Sequence, residues 1–447
     1  MPRCRKSSTN SSAAQRNSQY RLYNNIQEVG IAMDRRGFLG VAAGFYGALL
    51  ADAKAAGTSR APKLKIREVR AIRLRDGFNS RFVRVYTEDG LYGTGECVDS
   101  VGTEYIINHN FNTFLKGRDP LDIQGILADF WGYHKINLGG APSVMFVHGQ
   151  GGPYLTAVSG VEMALWDLAG KALGLPIHNL LGGKMRNRVP VYLHAANPKI
   201  AKQIFADTKT KVIKVGLDYS DDSWSIQKGY EPTRPYSLHM TNNQVDDVVN
   251  FFAGFRKELG KDAEIALECH AHYDTESGIQ ICNQIEPYRP LWVEEPVPSD
   301  NVESMLRVRN NTRVPIAAGE NIYTRYGYRP FLEKEALSII QPDFTKTGGL
   351  MEGLKIAAMA ETYNIPMAPH GVCSPLGTLG ITHLCSVVPN FFVQEFTYYQ
   401  DKKFTELCDP VSLDAEGFLP VPDAPGIGIE LNEAAVKERL DPEFKML

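Results

Sequence analysis

The sequence predicts an α/β fold, a (β/α)8 barrel preceded by an α+β domain. Three observations predict it. Short apolar runs alternate with helix-like segments through the second half of the chain. Acidic residues recur at or near the ends of those runs, as in AEIALECH, LWVEEP and VPIAAGE. A period-two meander and then a stretch of helical spacing come before the alternation begins. With 447 residues the chain has room for one large domain and a smaller one.

Residues 1–60 stand apart as a leader. The first 32 are polar and without periodicity. Met33-Asp34-Arg35-Arg36-Gly37-Phe38-Leu39-Gly40 then opens an apolar stretch that ends at Ala51-Asp52-Ala53. Paired arginines, a short apolar region and a small-residue cleavage pattern resemble a twin-arginine export signal over residues 33–56. The apolar stretch is too short to span a bilayer. Export to the periplasm is therefore expected, or a cytoplasmic protein if the leader does not function.

The α+β domain is expected over residues 61–188. KIREVRAIRL and RFVRVYTEDGLYGTGEC alternate in period two, and Asp89-Gly90 marks a hairpin. TAVSGVEMALWDLAGKALG carries apolar residues at helical spacing and stops before Pro176. The barrel is expected over 189–400. Its strands read VPVYLH, KVIKVG, AEIALECH, LWVEEP, VPIAAGE, LSIIQPD, IPMAPH and FFVQE. Continuously apolar middles suit parallel strands buried on both faces. Residues 401–447 show weak periodicity and are expected to pack back on the first domain.

Composition excludes some functions. Hydrophobic residues are 43%, charged residues 22% and the net charge −3, which gives no electrostatic case for nucleic acid or an anionic membrane. None of the seven cysteines forms a CxxC pair, so neither a zinc site nor a redox motif is indicated; buried thiols rather than disulfides are expected. A homo-oligomer acting on a small molecule is expected.

In such a barrel, functional residues sit at the C-terminal ends of strands. The candidates are Lys214, Glu268, His270, Glu294, Glu320, Asp343, His370 and Glu395. Three carboxylates on one rim are unfavourable unless a cation neutralises them, and a hard divalent ion such as Mg2+ takes oxygen ligands. Strand alternation puts Glu268 and His270 on one face.

LWVEEP, IAAGEN, IIQPDFTKTGG, MAPH and FVQE resemble the mandelate racemase and muconate lactonizing enzyme group of the enolase superfamily. YGTGE and VEMALWDLAGKALGLPIHNLLGG extend the likeness into the first domain, over roughly residues 64–430 in all. The resemblance implies an enolase-type modified barrel with a capping domain. It implies metal ligands at Glu268, Glu294 and Glu320, where relatives most often have Asp at the first position. It implies proton abstraction next to a carboxylate, with His370 as base and Asp343 as its partner.

Racemases of this group carry K-x-K after strand two. Here Lys214 matches the second lysine and Val212 replaces the first. The acid-x-His pattern of Glu268 and His270 resembles sugar-acid dehydratases of the galactonate dehydratase type. That implies His270 as the acid for a departing 3-OH, with Glu395, and Lys214 beside it, toward the substrate carboxylate. A racemase or epimerase using His370 against Lys214, and a non-catalytic sugar-acid sensor, remain the alternatives. His272 is expected behind His270, and His194 at the pocket floor. The other histidines are expected in packing, surface or loop roles, with His134 and His148 within reach of the site. Loops 217–243, 77–81 and 134–153 are expected to set specificity or close over it.

Overall fold

The computed structural model describes residues 62–75, 80–131, 151–216, 238–397 and 406–444. The leader, with its paired arginines, lies outside them. So do His134, His148 and most of the three loops expected to set specificity.

Strands β1 (Ile66–Arg73), β2 (Arg81–Thr87) and β3 (Tyr92–Cys97) form an antiparallel sheet in that order. Gly90, at φ 92°, makes the turn between β2 and β3. The long helix Gly152–Leu173 packs on this sheet and is buried along most of its length. Its close approach requires the two glycines of YGTGE. A Cβ on Gly93 would stand 2.1 Å from the Ala164 carbonyl oxygen, and one on Gly95 2.2 Å from that of Gly160. The helix ends at Gly174, which takes the left-handed conformation at φ 68°.

The barrel begins with β4 (Arg188–His194) and β5 (Val212–Gly216), followed by β6 (Glu264–Glu268) and β7 (Val293–Glu294). It continues with β8 (Ile316–Ala318), β9 (Ile339–Ile340) and β10 (Gln394–Glu395). These pair in parallel in the order β10-β4-β5-β6-β7-β8-β9. IPMAPH, read as a full strand, is reduced to parallel bridges from Met367 to Ile340 and to Phe391. Those bridges close the ring between β9 and β10. The barrel floor is filled by Tyr192, Ala266, Trp292, Ala317, Ile339 and Ala368, with Val393 beside them. It is therefore a packed core and not a channel.

The C-terminal residues return to both parts. Strand β11 (Phe418–Pro420) pairs antiparallel with β4, while Leu440 bridges Leu74 and Arg73 pairs with Asp441 at 2.8 Å. Six cysteines are buried, and none of the described ones is in a disulfide.

Two buried carboxylates of the first domain sit on the N-termini of barrel helices. Glu162 accepts from the amides of Leu350 (2.7 Å) and Met351 (2.9 Å), which open the helix Leu350–Glu361, and from Trp166 Nε1 (2.6 Å). Glu96 accepts from the amides of Ser374 (2.8 Å) and Gly377 (2.9 Å) at the start of Pro375–Val387. A negative charge is favourable at a helix N-terminus.

Burial nevertheless pushes Glu162 up to about 7, against backbone and Trp166 hydrogen bonds that pull the other way. A folded-state value raised above the ordinary 4.5 adds stability that is full below pH 4.5 and lost as pH rises through 7. The displacement is worth on the order of 3 kcal/mol. Glu162→Gln is expected to remove that part of the stability difference between pH 4.5 and 8, measured by denaturant unfolding. An unchanged pH slope would show that Glu162 does not carry it.

Candidate active site

The strand ends deliver the predicted residues to one rim. Glu268, Glu294 and Glu395 are the last residues of β6, β7 and β10. Glu320 does not close its strand. It stands beyond Gly319, whose φ of 153° turns the chain out of β8. Asp343 and His370 likewise lie in the turns after β9 and after the Met367 bridge.

These side chains form two adjoining contact sets. In the first, the buried Lys214 ammonium lies 3.0 Å from Glu268 Oε2, 2.9 Å from Glu294 Oε1 and 2.8 Å from Glu395 Oε1. Glu294 Oε2 accepts from Trp292 Nε1 (3.0 Å) and Gln341 Nε2 (2.6 Å). Glu395 Oε1 also meets His194 Nε2 at 2.5 Å, and its Oε2 accepts from the Gly371 amide at 2.7 Å. In the second set, His370 Nδ1 lies 2.7 Å from Asp343 Oδ2 and His370 Nε2 lies 3.0 Å from Glu320 Oε2. Asp343 Oδ1 is held by the Thr345 amide (2.8 Å) and hydroxyl (2.5 Å). His370 Nε2 and Glu395 Oε2, 3.6 Å apart, join the two sets.

His270 reaches the rim by a route other than strand alternation. Strand β6 stops at Glu268, and His270 and Ala271 take left-handed values of φ, 45° and 57°. The turn is held by the His270 amide on Glu268 Oε1 (2.9 Å) and by the Ala271 amide on the Glu295 carbonyl (2.9 Å). It brings His270 Nε2 to 3.9 Å from Glu268 Oε2, with the imidazole about a third exposed (29%). The two residues are neighbours because of this turn. Strand alternation does not extend to His270, because the strand ends at Glu268. His272 is exposed, its ring centroid 6.2 Å from that of His270.

The charges explain one another. Burial and the neighbouring Glu268 push Glu294 well above the ordinary carboxylate range. Burial would raise Glu268 too, but Lys214 and His270 outweigh it and hold Glu268 low. Glu395 stays well below the ordinary range because Lys214, His370 and His194 overcome its burial. Burial disfavours a charged His370, yet Glu320, Glu395 and the hydrogen bond to Asp343 raise its proton affinity well above the ordinary value. Glu320 is lowered in return, against its own burial.

Among the described residues no three His, Cys, Asp or Glu side chains stand as a ready-made metal cage. The contacts give the reason: Lys214 draws Glu268 and Glu294 to itself, and His370 draws Glu320. The donor chemistry still fits a hard divalent cation, since all three are carboxylates. Glu268 Oε2 is buried and accepts no aligned hydrogen bond, so the Lys214 ammonium beside it compensates by charge alone.

Comparison with known proteins agrees with this architecture. The profile described as Enolase C-terminal domain-like matches residues 194–435. The profile of the mandelate racemase / muconate lactonizing enzyme N-terminal domain matches residues 78–182. The chain belongs to the mandelate racemase and muconate lactonizing enzyme family of the enolase superfamily. It is 34% identical over 365 residues to D-xylonate dehydratase of Haloferax volcanii, covering 80% of this chain and 84% of that one. It is 32% identical over 370 residues to D-galactonate dehydratase of Pectobacterium atrosepticum, covering 80% and 90%. A solved mandelate racemase/muconate lactonizing enzyme-like protein from Rubrobacter xylanophilus superposes with a TM-score of 0.74 at 31% identity, over 87% of this chain and all of that one. With dehydratases among its relatives, this family member is an enzyme of the carbon–oxygen lyase class.

Some site residues escaped the sequence reading. Trp292 and Gln341 each stand two residues before a predicted site residue, Glu294 and Asp343, so period two could have found them.

One buried ammonium, Lys214, is shared by Glu268, Glu294 and Glu395, and removing one partner of a buried pair costs about 3–5 kcal/mol. Lys214→Met is expected to destabilise chelator-treated protein by that amount at neutral pH, read by urea denaturation. A loss under about 1 kcal/mol, the range of an exposed pair, would mean that Lys214 does not hold the rim together.

Proposed function

We propose that the chain is a Mg2+-dependent dehydratase of an aldonic acid such as galactonate or gluconate, giving a 2-keto-3-deoxy acid. The observation that carries the reading is the His370–Asp343 pair on a rim that also carries His270, Glu268, Glu294 and Glu320. The activities named for the relatives, on D-xylonate and D-galactonate, support the sugar-acid class.

Glu268, Glu294 and Glu320 would hold the cation. When bound, it would supply Lewis acidity to the substrate carboxylate. His370 Nδ1 is committed to Asp343 at 2.7 Å, so Nε2 is the atom that would accept the C2 proton. Asp343, fixed through Thr345, keeps the ring oriented and stabilises the imidazolium that forms. The electron pair of the broken C–H bond passes into the carboxylate as an enediolate. It returns to form the C2–C3 double bond as the 3-OH leaves. His270, partly exposed at the rim, gives that hydroxyl its proton, and water departs. The enol left at C2 tautomerises to the keto acid.

Lys214 serves the carboxylate end as a fixed cation. Its ammonium is engaged by Glu268, Glu294 and Glu395, which counts against a free racemase base on that face. Glu395, held ionised, could meet a second carboxylate only with a proton shared between them; we assign it the positioning of Lys214 and His194.

The test is solvent exchange and product analysis in D2O with Mg2+ over a panel of aldonic and aldaric acids. The wild type should release a keto acid trapped by semicarbazide, whereas labelled, inverted substrate would establish a racemase. His370→Asn is expected to lower C2–H exchange at least a thousandfold. His270→Asn should keep exchange within about tenfold while elimination fails. Undiminished elimination in His270→Asn would remove it as the acid.

We also propose that the leader directs twin-arginine export. Arg35→Lys together with Arg36→Lys should leave the protein in the cytoplasm of an expressing bacterium; unaltered periplasmic recovery would exclude that route.

A further inference from the structure

Lys346 is a buried cation that the reaction above does not use. It lies three residues beyond Asp343, in a turn whose backbone is fixed at several points. The amides of Lys346 (3.1 Å) and Thr347 (2.8 Å) both donate to the Asp343 carbonyl. The next amide, of Gly348, donates to Ser159 Oγ of the cap helix at 2.8 Å. Burial disfavours the charge of Lys346, but the carboxylates of Asp343, Glu320 and Asp99 outweigh it and hold the group above the ordinary lysine range. Its turn is the one that carries Asp343, the partner of His370, and its ammonium faces the cap residue Asp99.

Asp99 comes from the cap, two residues after β3. It takes the left-handed conformation at φ 59°, which Asp tolerates better than most residues. The loop is held where it is: Ser100 Oγ and Thr156 Oγ1 are 3.0 Å apart, and Thr103 Oγ1 donates to the Ser100 carbonyl at 3.0 Å. Burial raises the Asp99 carboxyl above its ordinary value, and Lys346 opposes that rise. Lys346 Nζ and Asp99 Oδ2 are 3.8 Å apart. That is beyond a direct hydrogen bond, but a hydroxyl between them can accept from the ammonium and donate to the carboxylate. A carboxylate has lone pairs for more than one such contact.

The barrel floor decides which part of a substrate meets this pair. Tyr192, Trp292 and their neighbours fill the interior beneath the rim. A chain whose C2 lies at His370 Nε2 cannot extend into that floor and must run on the open side of the rim. We propose that Lys346 and Asp99 form the subsite that grips the hydroxyls beyond C3 and selects among sugar acids by their configuration there. The proposal rests on the dehydratase reading above.

The test compares kcat/KM for the best aldonic acid and for its C4 and C5 epimers in the wild type, Lys346→Gln and Asp99→Asn, with Mg2+ present. Each variant is expected to raise KM for the best substrate at least tenfold, with kcat falling less than fivefold. The preference over the poorer epimer should shrink at least fivefold. Asp99→Asn changes a partly exposed cap residue and keeps the comparison open if Lys346→Gln folds poorly. A loss confined to kcat, or an unmoved epimer ratio in a folded variant, overturns the subsite. A wild-type enzyme that acts on no sugar acid overturns the dehydratase reading and this proposal together.

Discussion

Negative charge buried at the barrel rim is the constraint around which the rest of the molecule is arranged. Glu268, Glu294, Glu295, Asp343 and Glu395 are buried at or next to the strand ends, and Glu320 is partly buried beside His370. A buried carboxylate without compensation is far too unfavourable to persist. Lys214 and His370 supply the compensation inside the site, and each is placed to touch more than one acid. Such pairs rarely stabilise a fold relative to apolar packing. Their presence at the open end of a barrel whose floor is entirely apolar or aromatic is the signature of a site kept for chemistry.

The cap contributes to the rim without reaching its centre. Glu162 and Glu96 bind the N-termini of the two barrel helices that follow the Asp343 and His370 turns. Ser374, whose amide Glu96 holds, is only four residues beyond His370. Glu162 holds the helix that begins after the Asp343–Gly349 turn, and Ser159 one helical turn earlier takes the Gly348 amide. The His370–Asp343 pair therefore hangs between two turns whose far ends are fixed by the cap. Gly93 and Gly95 matter for the same reason. They let the cap helix lie close enough to its sheet for both carboxylates to project toward the barrel from fixed points.

Much of this was legible in the sequence because parallel strands and their ends leave local patterns. Apolar runs ending in acids located β6, β7 and β10, and the order of the motifs brought out the family resemblance. Three things were not legible, each for a physical reason. The seventh strand is a single bridging residue, Met367, since Pro366 and Pro369 lack the amides that a longer ladder needs. His270 sits in a left-handed turn, and backbone handedness at a non-glycine residue has no periodic trace. Lys346 and Asp99 meet across the cap and the barrel, and no local spacing records a contact between residues so distant in the chain.

The first of the three rim carboxylates shows how local backbone and site chemistry are joined. The family resemblance implies Asp at this position, and Glu268 is one methylene longer. Its Oε1 takes the amide of His270, two residues on, as Asp does in an Asx-turn but in a larger ring. The extra reach leaves Oε2 beside Lys214, with His270 Nε2 3.9 Å away. Consecutive left-handed residues at His270 and Ala271 cost roughly 1–2 kcal/mol each. The Glu268 hydrogen bond and the Glu295 carbonyl offset part of that strain. Glu268 is thus both a charge on the rim and the brace of the turn that presents His270. Any change that withdraws its Oε1 from the His270 amide moves the imidazole as well, so the acid and the histidine beside it act as one structural unit.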